Sequence, residues 1–178
     1  LLYLHGGAYC VGSPRTHRAI TGTLARLTGA GVFVADYRLA PENPFPAAVD
    51  DAVSAYVGLL GRGHDARRIT IAGDSAGGGL TLATALRLRS LQRALPRALV
   101  AFSPWVDLGD VDRGPVPAGE VMISPPWVQA CARMYLGAHD PRDPLVSPIF
   151  GELAGLPPTL VQVGTDEVLL QDSQSLHD

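Results

Sequence analysis

Short runs of consecutive apolar residues alternate along the chain with stretches where apolar positions return every three or four residues. Residues 1–4, Leu1-Leu2-Tyr3-Leu4, form the first run and lead to Gly6-Gly7, the pattern of a buried strand feeding a loop. From Ser13-Pro14 the period changes. Ile20, Leu24 and Leu27 stand four and three apart, which predicts a helix closed by Gly29 and Gly31. Residues 32–37, β-branched and aromatic at their start, predict a second strand, and the proline-rich stretch 41–46 predicts a turn. Over residues 47–60, Ala48, Val49, Ala52, Val53, Ala55, Tyr56 and Leu60 give a helix with an apolar face. A third strand over 68–72 runs straight into Gly73-Asp74-Ser75-Ala76-Gly77, and a helix over about 76–91 follows at once. Residues 98–102 and 159–163 predict the fourth and fifth strands, 127–136 a short helix, and Leu169 the start of another. The stretches 107–126 and 141–158 read as irregular.

Strands that are apolar throughout, alternating with helices, predict a mostly parallel sheet covered by helices on both faces. The chain has 178 residues, 47% hydrophobic and 17% charged, which suits one domain with a packed core (residues 1–178). A net charge of −3 without a basic run gives nucleic acid no electrostatic footing. No apolar stretch is long enough to span a membrane. Cys10 and Cys131 are far apart in sequence and predict two free thiols, and no His/Cys/Asp cluster suits a metal. The chain opens on Leu1 without an initiator Met and stops at Leu176-His177-Asp178 inside a predicted helix, which reads as an internal piece of a longer protein. A cytoplasmic location is the expectation.

Gly73-x-Ser75-x-Gly77 fits a nucleophile elbow, because a strand precedes it and a helix follows immediately. The chemistry needs a serine on a sharp turn, its hydroxyl clear of the sheet, with glycines where a side chain would crowd the turn. The helix start aims its dipole and free N–H groups at the reacting centre. Gly73, Gly77, Gly78 and Gly79 do not fall at the intervals of a dinucleotide-binding fingerprint. Acyl transfer also needs preorganised N–H donors for the developing oxyanion, each worth about 3–4 kcal/mol of barrier. Ala76, following the serine, should supply one. Gly7 and Ala8 in His5-Gly6-Gly7-Ala8 should supply the others.

These residues carry a resemblance. His5-Gly6-Gly7-Ala8 together with Gly73-Asp74-Ser75-Ala76-Gly77-Gly78 resembles the bacterial hormone-sensitive-lipase-like esterases of the α/β-hydrolase fold. The stretches 3–9, 36–42, 103–108 and 156–160 fit the same family, so the likeness covers essentially the whole chain. The resemblance implies ester hydrolysis without a cofactor and a preference for short-chain acyl esters. It also implies a helical cap, built largely from an N-terminal segment, and further C-terminal strand and helix, all outside this sequence. The family's third glycine is Ala8 here, which keeps the N–H and matters only if the backbone there needs φ > 0.

A catalytic triad in this fold runs Ser, acid, His along the chain. Asp166 and Glu167 stand just past the fifth strand. Aligning the following helix with the family's Asp-Pro-Leu favours Glu167, with Asp166 as the alternative acid. Asp143-Pro144-Leu145 precedes that strand and reads as structural. His5, His17, His64 and His139 precede the acid, so chain order excludes them as the base. His17 is expected at the surface or in local packing, and His5 to shape its loop. His177 follows Glu167 by ten residues on a predicted helix; the family's histidine lies beyond Asp178. Asp36 and Arg38 are candidates for an ion pair, Trp105 for the acyl pocket or the core, Tyr9 for a leaving-group contact or surface packing, and the arginines of residues 87–97 for a solvated face. The expected ligand is a small ester, with a homodimer left open as an assembly. The rival readings are an amidase or formamidase, and a ligand binder that has lost its triad.

Overall fold

The computed structural model describes residues 1–109 and 114–177; part of the expected irregular stretch, Asp110 to Arg113, and the terminal Asp178 lie outside the described residues. In chain order the elements are β1 (Leu2–Leu4), α1 (Arg18–Thr28), β2 (Phe33–Val34), α2 (Ala47–Gly61), β3 (Thr70–Asp74), α3 (Ala76–Ser90), β4 (Ala98–Phe102), α4 (Pro125–Leu136), β5 (Thr159–Gln162) and α5 (Leu170–His177). The strands form one sheet in the order β2-β1-β3-β4-β5, and every neighbouring pair is parallel. The expected doubly covered parallel sheet is therefore the fold observed.

Two elements decide where chemistry can occur. The three residues of β1 are all fully buried. Helix α3 is buried from Ala76 to Leu86 and again at Leu88, as expected of a helix with apolar residues on every side. Its hydroxyls do not compromise that burial, because Thr81 Oγ1 donates to Gly77 O (2.9 Å) and Thr84 Oγ1 to Leu80 O (2.6 Å). Helix α2 packs Ala48, Val49, Ala52 and Tyr56 into the same core. The fit of α3 to the sheet is close enough that a Cβ on Gly77 would stand 2.0 Å from Leu4 O, and one on Gly79 2.1 Å from Trp105 O.

Four expectations need correction. Helix α1 begins at Arg18 rather than at Ser13-Pro14, because Thr16 and Ser13 bond to each other in a turn: Thr16 Oγ1 donates to Ser13 O (2.8 Å) and accepts from Ser13 N (2.9 Å). Strand β2 pairs only at Phe33 and Val34. Asp36 and Arg38 form no ion pair with each other. The Arg38 guanidinium and backbone N–H turn instead to Asp51 on α2 (2.8–3.1 Å), an exposed contact of small energetic weight. Arg89 is not simply a solvated arginine, since its guanidinium donates to the carbonyls of Glu152 and Ala154. Both cysteines are free, with Cys10 Sγ 3.7 Å from Cys131 O.

Candidate active site

Ser75 occupies the single residue between β3 and α3, with φ 53° and ψ −120°. That backbone conformation is rare for a side chain other than glycine and costs about 1–3 kcal/mol. The surroundings hold it from both sides. Ser75 N donates to Phe102 O (2.9 Å), while Ser75 O accepts from Trp105 N (2.9 Å) and Gly79 N (3.1 Å). The elbow glycines are required by space: a Cβ on Gly73 would lie 2.2 Å from Gly77 O and 2.6 Å from Leu4 O. The turn can be this sharp only because three backbones meet where side chains are absent.

The loop after β1 comes up beside it. Gly7 has φ 124°, Ala8 φ 50° and Tyr9 φ 62°, so the loop lies in the left-handed half of backbone space through three residues. Ala8 thus sits where the family's glycine would be unstrained, at a cost of about 1–2 kcal/mol. Gly7 O fastens the turn by accepting from Cys10 N (3.0 Å) and Val11 N (2.9 Å). Among the described residues, none accepts a hydrogen bond from the N–H of Gly7, Ala8 or Ala76. Ala76 is the first residue of α3, where no intrahelical acceptor exists. His5 is tied into the loop by its contacts. It is fully buried, its Nδ1 donates to Gly6 O (2.8 Å), its ring stacks on Tyr37 at 4.3 Å, and Tyr37 Oη donates to His5 O (2.6 Å). Burial pushes its imidazole below the ordinary histidine range, and the bond to Gly6 opposes this only in part.

A cleft of about 770 Å³ opens over these groups. Ser75, Gly7 and Ala8 line it. Phe102, Trp105, Val121, Met122, Ile123 and Trp127 supply apolar lining, and Asp166 and Glu167 add two carboxylates to it. Glu167 Oε1 accepts from Gly164 N (2.7 Å). Trp105 is both things the sequence left open, 2% exposed in the core yet part of the cleft wall. Tyr9 is neither of the expected things: it is 1% exposed and stacks on Tyr135 at 3.9 Å. Asp143 bonds within its own turn, accepting from Leu145 N (2.8 Å).

The histidines separate clearly. His64 lies in the turn after α2, His139 packs edge-on against Phe45 (4.9 Å), and His177 lines hollows away from the cleft. His17, expected at the surface or in local packing, instead lines the cleft, with Nε2 3.3 Å from Asp74 Oδ2. Asp74 also accepts from Tyr3 Oη (2.8 Å) and Gly6 N (3.0 Å). Burial, and then the Asp74 carboxylate, hold the Tyr3 phenol far above its usual range. Two further carboxylates went unread in the sequence. Glu120 bonds Met122 N and Ile123 N with one oxygen and Val168 N with the other, tying a cleft wall to the Glu167 segment. Buried Asp172 accepts from Val106 N (3.0 Å) and Asp107 N (3.1 Å) behind Trp105. No spacing rule could have paired residues 48 and 66 positions apart.

A parallel sheet with a strained serine between strand and helix, sharing a cleft with a glycine-bearing loop after the adjacent strand, is the arrangement of the α/β-hydrolase class. Residues 1–178 match the family described as alpha/beta hydrolase fold, and the chain belongs to it, among the bacterial hormone-sensitive-lipase-like esterases. An acetyl-hydrolase of Streptomyces hygroscopicus is 47% identical over 178 residues, covering 99% of this chain and 60% of that protein. An esterase of Acinetobacter venetianus is 41% identical over 181 residues, covering 100% of this chain and 60% of that protein. The crystal structure of an esterase from the bacterial hormone-sensitive lipase family superposes with a TM-score of 0.95 at 47% identity, covering 99% of this chain and 60% of the other. The chain therefore spans about 60% of the length of these relatives. No helix of the described residues is long and apolar enough to cross a membrane.

Proposed function

We propose that the protein carrying this chain is a carboxylic ester hydrolase for short-chain acyl esters, with Ser75 as its nucleophile. The observation that carries the reading is Ser75 held at φ 53° in the lining of a cleft that it shares with Gly7 and Ala8. A strained backbone persists only where surrounding structure enforces it, and here it puts one serine in the same cleft as a loop whose N–H groups find no acceptor among the described residues.

Ser75 Oγ attacks the ester carbonyl carbon as its proton passes to a general base. The N–H groups of Gly7, Ala8 and Ala76 hold the oxyanion. The tetrahedral intermediate collapses, the alcohol leaves with the proton, and the acyl group remains on Ser75. Water, activated by the same base, then releases the acid. Glu167 is the proposed acid that orients the base, with Asp166 as the alternative; both line the cleft. None of the five histidines suits the base. His5 is buried against Tyr37, His17 is engaged with Asp74, and His64, His139 and His177 do not line the cleft. The base is proposed to be a histidine outside residues 1–178, in the length by which the relatives exceed this chain. The relatives' names, acetyl-hydrolase and esterase, support a small acyl ester as substrate. Hydrolysis of p-nitrophenyl acetate and butyrate by the protein, and its loss in Ser75→Ala with an unchanged melting temperature, tests the reading. A Ser75→Ala protein that keeps the parent rate overturns it.

A further inference from the structure

We infer that Asp74 is a positioning residue for the oxyanion loop, acting through Gly6 and resting on the reading of Ser75 and its loop given above. Asp74 is the last residue of β3 and the neighbour of Ser75 in sequence, so its backbone is as fixed as the elbow. The carboxylate crosses to the adjacent strand. Oδ1 accepts from Gly6 N (3.0 Å) and from Tyr3 Oη (2.8 Å), while Oδ2 lies 3.3 Å from His17 Nε2. One side chain thereby joins the strand before the loop, the first glycine of the loop, and the segment that follows it.

The effect on chemistry follows from distance along the chain. Gly6 N–H precedes the proposed donors Gly7 and Ala8 by one and two residues, so fixing the Gly6 peptide fixes where those donors point. Gly7 and Ala8 lie in the left-handed region, so this conformation has to be imposed. The cradle is also tight: a Cβ on Gly6 would stand 2.2 Å from Asp74 Oδ2 and 3.0 Å from Asp74 O. The carboxylate thus serves as anchor and as wall. Oxyanion donors act only when placed within a few tenths of an ångström of the developing charge, so a loop relaxed from Asp74 loses rate while still admitting substrate.

The test uses the ester-hydrolysing protein that contains residues 1–178, with steady-state kinetics on p-nitrophenyl butyrate and inhibition by an alkyl boronic acid as a tetrahedral mimic. Asp74→Asn keeps an acceptor for Gly6 N–H and is expected to hold kcat within about fivefold of the parent. Asp74→Ala removes the anchor, and Asp74→Glu, one methylene longer, pushes into Gly6. Both are expected to lower kcat by about 30-fold or more, with KM changed by less than about threefold and boronate affinity falling in step with kcat/KM. Should Asp74→Ala fail to fold, the Asn–Glu pair carries the decision, because charge is kept in one and geometry in the other. Asn and Glu variants that both retain the parent kcat, or a loss confined to KM, overturn the positioning role while leaving Ser75 intact. A parent protein without ester turnover and without a Ser75 adduct overturns the functional reading and this inference together.

Discussion

Replacing Gly77 by alanine should be among the most damaging single-methyl additions available to this chain. The added Cβ would stand 2.0 Å from Leu4 O and 2.6 Å from both Leu4 C and His5 O. The nearest approach is roughly 1.5 Å inside an ordinary van der Waals contact. All three atoms are backbone, so no rotamer change relieves the overlap. Leu4 is paired in register with Gly73, and moving it disturbs the elbow from the opposite side. The expected cost is at least about 3 kcal/mol, which lowers the melting temperature by roughly 6–12 °C for a domain of this size. Gly22→Ala is the matched control. Gly22 lies inside α1, and its added Cβ would meet nothing within 4 Å. Both substitutions remove the same unfolded-chain freedom, so the difference between them isolates the native-state clash. Gly22→Ala should raise stability by about 0.5–1 kcal/mol. Urea unfolding followed by circular dichroism, with equal denaturant slopes, reads the difference directly. Stabilities of the two variants within about 1 kcal/mol of each other would refute the argument that β1 and α3 are held in backbone contact.

Three other outcomes are expected. Ser75→Gly should abolish ester turnover yet stabilise the fold by about 1 kcal/mol in thermal melts, because glycine occupies φ 53° without strain; a less stable variant would contradict the strained elbow. Asp172→Ala should cost about 2–4 kcal/mol in urea melts by orphaning the N–H groups of Val106 and Asp107, and an unchanged midpoint would show that this clamp holds nothing. Burial pushes the Cys10 thiol up to about 12, so iodoacetamide at pH 8 should modify it at least about tenfold more slowly than a free thiol, as followed by intact mass; labelling at the free-thiol rate in the native protein would contradict that burial.

The parallel sheet and the elbow were legible because both are local. Apolar runs between helical periods identify buried strands, and the glycines flanking Ser75 sit where any Cβ would meet backbone. The strain at Ala8 was not legible, since the residue's identity says nothing of a loop that stays left-handed from Gly7 to Tyr9. The helix start at Arg18 was missed because Thr16 closes a turn with its own hydroxyl, a side-chain bond that competes with the first helical turn. The partner of Arg38 and the place of His17 were misread for a different reason. Asp51 meets Arg38 where α2 follows β2, Asp74 nears His17 because β3 lies beside β1, and a neighbouring charge such as Asp36 is a poor guide once the chain leaves the sheet. Glu167 and Asp166 both reach the cleft, so the choice between them belongs to the geometry of the assembled triad.

The most direct measurement of the central claim is mass spectrometry after a fluorophosphonate probe, applied to residues 1–178 alone and to the longer protein that contains them. The account predicts one adduct, on Ser75, formed readily in the longer protein, where the proposed histidine and acid complete the site, and slowly or not at all in the shorter chain. No adduct on Ser75 in the longer protein, or an adduct on another residue, would contradict it.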